Sequence, residues 1–101
     1  MTDNPTGDPR FHDLLDEIAE LHDRKQADYG TSGDPFANVR ASQDWGVPAW
    51  VGTMIRANDK VKRLQAAAQG STLVNEGVED SLMDIATYAL IALVLYREQQ
   101  P

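Results

Sequence analysis

The chain has 101 residues, enough for one modest hydrophobic core, with 42% hydrophobic and 25% charged residues, the composition of a folded soluble domain. Sixteen acids against nine bases leave a net charge of −7, which argues against a general nucleic-acid binder, because coating phosphates needs an excess of Lys and Arg. There is no cysteine, so disulfides, thiol catalysis and thiolate zinc sites are excluded. The negative charge is segregated. Residues 1–44 carry ten acids and four bases, 45–70 one acid and four bases, and 71–101 five acids and one base. A basic middle between acidic flanks is the pattern to explain.

Residues 1–7 read as a flexible polar terminus without the features of a signal peptide. Asp8-Pro9 starts a helix, since Asp caps and Pro tolerates the first helical position. Phe11, Leu14, Leu15, Ile18 and Leu21 recur at helical spacing, predicting a first helix over 9–29 stopped at Gly30. Asp34-Pro35 repeats the start signal, and Phe36, Val39 and Trp45 mark a second helix over 35–45 that ends at Gly46. The third helix, 48–69, opens on Pro48 and carries the stripe Trp50, Met54, Ala57, Val61, Leu64 and Ala68, with Gly52 as a weak point and Gly70 as its stop. Asn75 is the expected cap of a fourth helix over 76–99, with core positions Val78, Leu82, Ile85, Ala89 and Leu93. From Ile85 onward this helix is apolar nearly all round, which predicts that part of it meets another subunit. The longest apolar stretch, Ile85–Tyr96, is too short for a membrane span of about twenty residues. No strand pattern competes, so the expected fold is all-α: one domain over 8–101, a compact bundle of about four helices, oligomeric through the C-terminal helix and cytoplasmic.

Three constellations bear on chemistry. Glu76, Asp80 and Asp84 are four apart and share a helix face, where like charges repel unless something offsets them. A magnesium ion, which takes a few carboxylates plus water and phosphate, is one candidate; a basic partner helix is another. Arg56, Asp59, Lys60 and Arg63 fall at offsets 0, 3, 4 and 7, again one face, and two guanidiniums with an ammonium can grip phosphate oxygens. The same row also suits simple neutralisation of the acidic helix that follows. Lys25, Asp28 and Tyr29 close the first helix. Glu17 and Glu20 are further carboxylates, equally at home on a solvated face, and Trp45 and Trp50 can stack a base or fill a core. His12 and His22 do not have the spacing of a metal pair.

Lys25-x-x-Asp28-Tyr29-Gly30, Arg56-x-x-Asp59-Lys60-x-x-Arg63-Leu64 and Glu79-Asp80-x-x-x-Asp84-x-x-x-Tyr88, in that order, resemble the phage and bacterial family called nucleotide modification associated domain type 1. That family is similar to the MazG-like all-α nucleoside triphosphate pyrophosphatases. The resemblance implies an oligomeric helical bundle working on nucleotides, in the host cytoplasm if phage-encoded. It also implies hydrolysis of a (deoxy)nucleoside triphosphate with Mg2+. Asp80, Asp84 and Lys60 would be catalytic, with Glu76, Asp80 and Asp84 holding the metal. Lys25, Asp28, Tyr29, Arg56, Asp59 and Arg63 would bind the substrate. MazG-like enzymes carry an acidic Glu-Glu-x-x-Glu run where this chain has its basic row. A non-enzymatic nucleotide binder, acting as a regulator or sequestering a nucleotide signal, therefore stands beside the hydrolase, and a structural oligomerisation module is the third reading.

Overall fold

The computed structural model describes residues 6–29, 35–72 and 77–101, and of residues 26–29 the backbone alone. These form four α-helices, α1 (Pro9–Tyr29), α2 (Ala37–Arg40), α3 (Ala49–Ala68) and α4 (Val78–Glu98), with a 3-10 helix, Ala41–Trp45, between α2 and α3. No strand occurs among the described residues, so the expected all-α class holds. None of the described helices is long and apolar enough to cross a membrane. The chain divides into two compact units, residues 1–35 and 36–101.

The first unit contains α1. Asp8 caps it as its sequence predicts: the Arg10 backbone N–H donates to Asp8 Oδ1 at 2.8 Å. The Arg10 guanidinium reaches back to the same carboxylate at 2.7 Å. That side-chain hydrogen bond, and after it the Arg10 backbone N–H, hold the Asp8 carboxyl below its ordinary pKa. Ile18 is buried, while Phe11 remains 62% exposed.

The second unit is an antiparallel pair of long helices with a short helical segment against one end. Two contacts fix the direction. Trp50 near the start of α3 meets Tyr96 near the end of α4, edge to face with centroids 5.6 Å apart, and Lys60 further along α3 meets Asp84 nearer the start of α4. The buried line of α3 is Ala49, Thr53 and Ala57, spaced by four. That of α4 is Ser81, Ala92 and Leu95. Most of these side chains are small, and small residues let two backbones approach closely along the seam. Thr53 is fully buried, and its hydroxyl donates to the Ala49 carbonyl at 2.8 Å, so no polar group is stranded there.

The buried faces differ from the stripes expected from periodicity. Met54 and Ala68 on α3, and Val78, Leu82, Ala89 and Leu93 on α4, are exposed, and Ile85 is half-buried. On α4 the seam-side line runs through 81, 85, 88, 92 and 95. Apolar residues on every side of this helix leave periodicity unable to choose a face.

The segment expected as a helix over 35–45 splits into α2 and the 3-10 helix, whose C-cap Gly46 takes the left-handed conformation (φ 77°). Trp45, read as able to stack a base or fill a core, is 87% exposed, so it does not fill the core. Gly52 is no weak point. A Cβ built there would collide with Ser42 Oγ and Cβ. The missing side chain is what lets the 3-10 helix lie against α3. The Ser42 hydroxyl donates to the Val47 carbonyl at 3.0 Å, tying the turn to itself. Arg40 then reaches across to α4, its Nη1 and Nη2 donating to Glu98 Oε2 and Oε1 at 2.8 and 3.1 Å, a fork-to-fork pair. At the other end of α3, the Ser71 N–H donates to the Ala66 carbonyl and that of Gly70 to Ala67, both at 3.0 Å, with Gly70 at φ 94°. This is the paired-bond stop that a glycine after the helix provides.

Two predictions follow from these contacts. Gly52→Ala gains about 1 kcal/mol of helix propensity but incurs overpacking of about 1–3 kcal/mol against Ser42. The variant should melt at lower temperature, and adding Ser42→Gly should recover part of the loss, as read by thermal denaturation of all four proteins. Asp8 has a depressed pKa in the folded chain. Its stabilisation is therefore present above the ordinary carboxyl value of about 3.9 and is lost as pH falls through the lower folded value. The Arg10 amide resonance should titrate with a midpoint below that ordinary value, and Asp8→Ala should abolish the step.

Candidate functional site

The basic residues of the middle segment sit where α3 turns them outward from its buried line. Arg56, Asp59, Lys62 and Arg63 are exposed, and Lys60 is half-buried at the edge of the seam. Lys60 Nζ lies 3.1 Å from Asp84 Oδ2 on α4, with only 18% and 26% of the two side chains exposed. The basic face therefore does meet the acidic start of the next helix, and Lys60–Asp84 is where they join. Shielding from water makes this pair stronger than an ordinary surface bridge.

Among the described residues the neighbours of that pair are left uncompensated. Arg56 and Arg63 lie one turn before and after Lys60, and among the described residues neither has a carboxylate partner. Asp59 and Asp80 are likewise exposed and unpaired among the described residues. The antiparallel register set by Lys60–Asp84 places Asp80, one turn back along α4, at the level of Arg63–Leu64, and Tyr88 at the level of Arg56. Among the described residues the seam thus presents a sequence of charges along one edge: an unpaired guanidinium, a satisfied ion pair, and a second unpaired guanidinium level with an unpaired carboxylate. Such an edge has donors for an anion and, in Asp80, an acceptor for a donor group elsewhere on the same ligand.

The other expected site residues belong to the first unit or lie outside the described residues. The side chains of Asp28 and Tyr29, and all of Glu76, lie outside the described residues. Helix α4 begins at Val78 on an extended Gly77 cap (φ −79°, ψ 175°). The four-residue helical spacing joins Asp80 to Asp84 within α4. Lys25, Glu17 and Glu20 are exposed on α1, in the other unit. Among the described residues no three acidic or histidine side chains converge as a metal-binding group. Of the carboxylates expected to hold magnesium, Asp80 and Asp84 lie one turn apart on α4, with Asp84 paired to the Lys60 ammonium.

Thr53, Ser81, Arg40, Tyr96 and Glu98, which build the seam, escaped the sequence reading as contributors to it. Thr53 and Ser81 are fully buried polar residues on the seam. Trp50–Tyr96 and Arg40–Glu98 close its far end. The signal for the first was present as the four-residue spacing of Ala49, Thr53 and Ala57. The Arg40–Glu98 pair joins residues too far apart in sequence for any local pattern to report it. Lys60→Met keeps the stem packing and leaves Asp84 without this cation. It should cost about 1–2 kcal/mol, scaled down from a fully buried pair because both groups retain some solvent. Adding Asp84→Asn should restore part of it in urea unfolding.

No curated protein and no solved structure matched this chain. A family model did, that of nucleotide modification associated domain 1, over residues 25–95, a span that takes in the basic row of α3, the Lys60–Asp84 pair and nearly all of α4. With most of its length and its whole charged seam inside that match, the chain belongs to the nucleotide modification associated domain 1 family.

Proposed function

We propose that this protein binds a nucleotide through its phosphates at the α3–α4 edge, with Arg56 and Arg63 as the gripping groups and Lys60 positioned between them. The observation that carries this reading is the pair of exposed guanidiniums, free of carboxylates among the described residues, one turn on each side of the Lys60–Asp84 bridge. Guanidinium forks match phosphate oxygens in geometry, and the intervening ammonium adds a point charge. Asp84 holds that ammonium along the edge. Asp80 contributes an acceptor that favours a ligand carrying donors, such as a ribose or base, over inorganic phosphate. The family's association with nucleotides supports the ligand class.

Magnesium-dependent hydrolysis of a (deoxy)nucleoside triphosphate is the second reading. The observation that favours it is Asp80, exposed and unpaired one turn from Asp84. It demands that Lys60 give up Asp84.

Thermal shift against a panel of ribo- and deoxynucleoside triphosphates, with and without magnesium, tests both. A ligand at a hundredfold its dissociation constant should stabilise by about 2.7 kcal/mol. Arg56→Ala and Arg63→Ala should each weaken binding about tenfold or more, the loss of a charged hydrogen bond of about 1.5–3 kcal/mol. Stabilisation without magnesium and without turnover fits the binder. Release of monophosphate and pyrophosphate only with magnesium fits the hydrolase. Affinity unchanged in both arginine variants overturns the site.

A further inference from the structure

Helix α4 has two apolar faces, and α3 covers one of them. Taking about 100° per residue, the seam positions 81, 85, 88, 92 and 95 centre on one side of the helix, and Leu82, Ala86, Leu90 and Leu93 centre on the opposite side. Leu82, Leu90, Leu93 and Val94 are 45–51% exposed. This outer stripe is longer than a scatter of single apolar residues, and it runs along nearly the whole helix. It ends in opposite charges on the same line: Glu79 in the first turn and Arg97 in the last. Both are exposed, and neither has a partner among the described residues.

The stripe is also self-complementary when reversed. If two copies of α4 run antiparallel and cross at the level of residue 88, Glu79 of each faces Arg97 of the other. In the same register Leu82 faces Val94, and the small Ala86 faces the larger Leu90. Acid meets base at both ends, and large meets small at the centre. We infer that the outer face of α4 is a two-fold symmetric docking surface for a second copy of this chain, with Glu79–Arg97 pairs closing both ends. A two-fold interface requires one patch to complement itself in this way. The charge order specifies the antiparallel arrangement, because parallel helices would set Glu79 against Glu79 and Arg97 against Arg97. Asp84 lies roughly 150° around α4 from this stripe, so the dimer leaves both charged α3–α4 edges outward. The inference stands apart from any ligand at those edges.

The test is a charge-reversal cycle read by sedimentation equilibrium at low salt. The wild type should be a dimer. Glu79→Arg and Arg97→Glu should each weaken it about tenfold or more, since each sets like charges opposite one another at both ends. The double variant re-forms the pairs with reversed sign and should dimerise close to wild type. Leu90→Asp should give a monomer with unchanged helical circular dichroism, because that side chain lies outside the seam. A wild type that stays monomeric to about millimolar concentration, where weak association ends, overturns the inference; so does a dimer indifferent to the reversals.

Discussion

The close approach of α3 and α4 along small side chains is the constraint on which the second unit rests. Ala49, Thr53 and Ala57 face a line that includes Ser81 and Ala92, and only Leu95 among the fully buried residues is large. A seam of this kind has little volume to bury, so its stability depends on tight contact rather than on bulky hydrophobic groups. It also leaves no room for slippage. Thr53 must bond within its own helix, and the aromatic and ionic contacts at its ends must coincide in one register. Trp50–Tyr96 and Lys60–Asp84 satisfy that demand together.

That register decides what the charges can do. The basic segment and the acidic segment that follows it meet through a well-shielded pair, Lys60–Asp84. Lys60, with its long flexible stem, reaches the seam, whereas Arg56 and Arg63 remain in solvent on either side. Exposed guanidiniums on either side of a tethered ammonium are what the proposed phosphate grip rests on. The same tether takes Asp84 out of the pool of carboxylates open to a metal. Charge segregation visible in the composition thus resolves into a specific edge, with general polyanion binding still disfavoured by the net charge of −7.

The 3-10 helix shows how a local irregularity supports this edge. Gly52 accepts Ser42 against the α3 backbone, and Gly46 turns the chain into Pro48. Arg40 is then carried to Glu98 at the last turn of α4. A short connector therefore holds together the open end of the helix pair, where no loop joins α3 to α4. A glycine that reads as a defect by helix propensity is a packing requirement, because propensity takes no account of what lies against the helix.

The first helix, with its Asp8 cap, and the glycine stops at 46 and 70 were legible in the sequence, because they depend on hydrogen bonds between near neighbours. So were the all-α class and the nucleotide-associated family, the latter from three short motifs in order. The basic row on α3 was legible too, since helical spacing alone puts Arg56, Lys60 and Arg63 on one face. Which face of α4 is buried was not, because a helix apolar on all sides carries no periodic signal for choosing. Nor was the division of labour within the basic row. Among the described residues Lys60 pairs and its neighbouring arginines do not, and that outcome is set by the antiparallel register. Register arises from contacts between residues tens of positions apart, and only the folded chain brings those residues together.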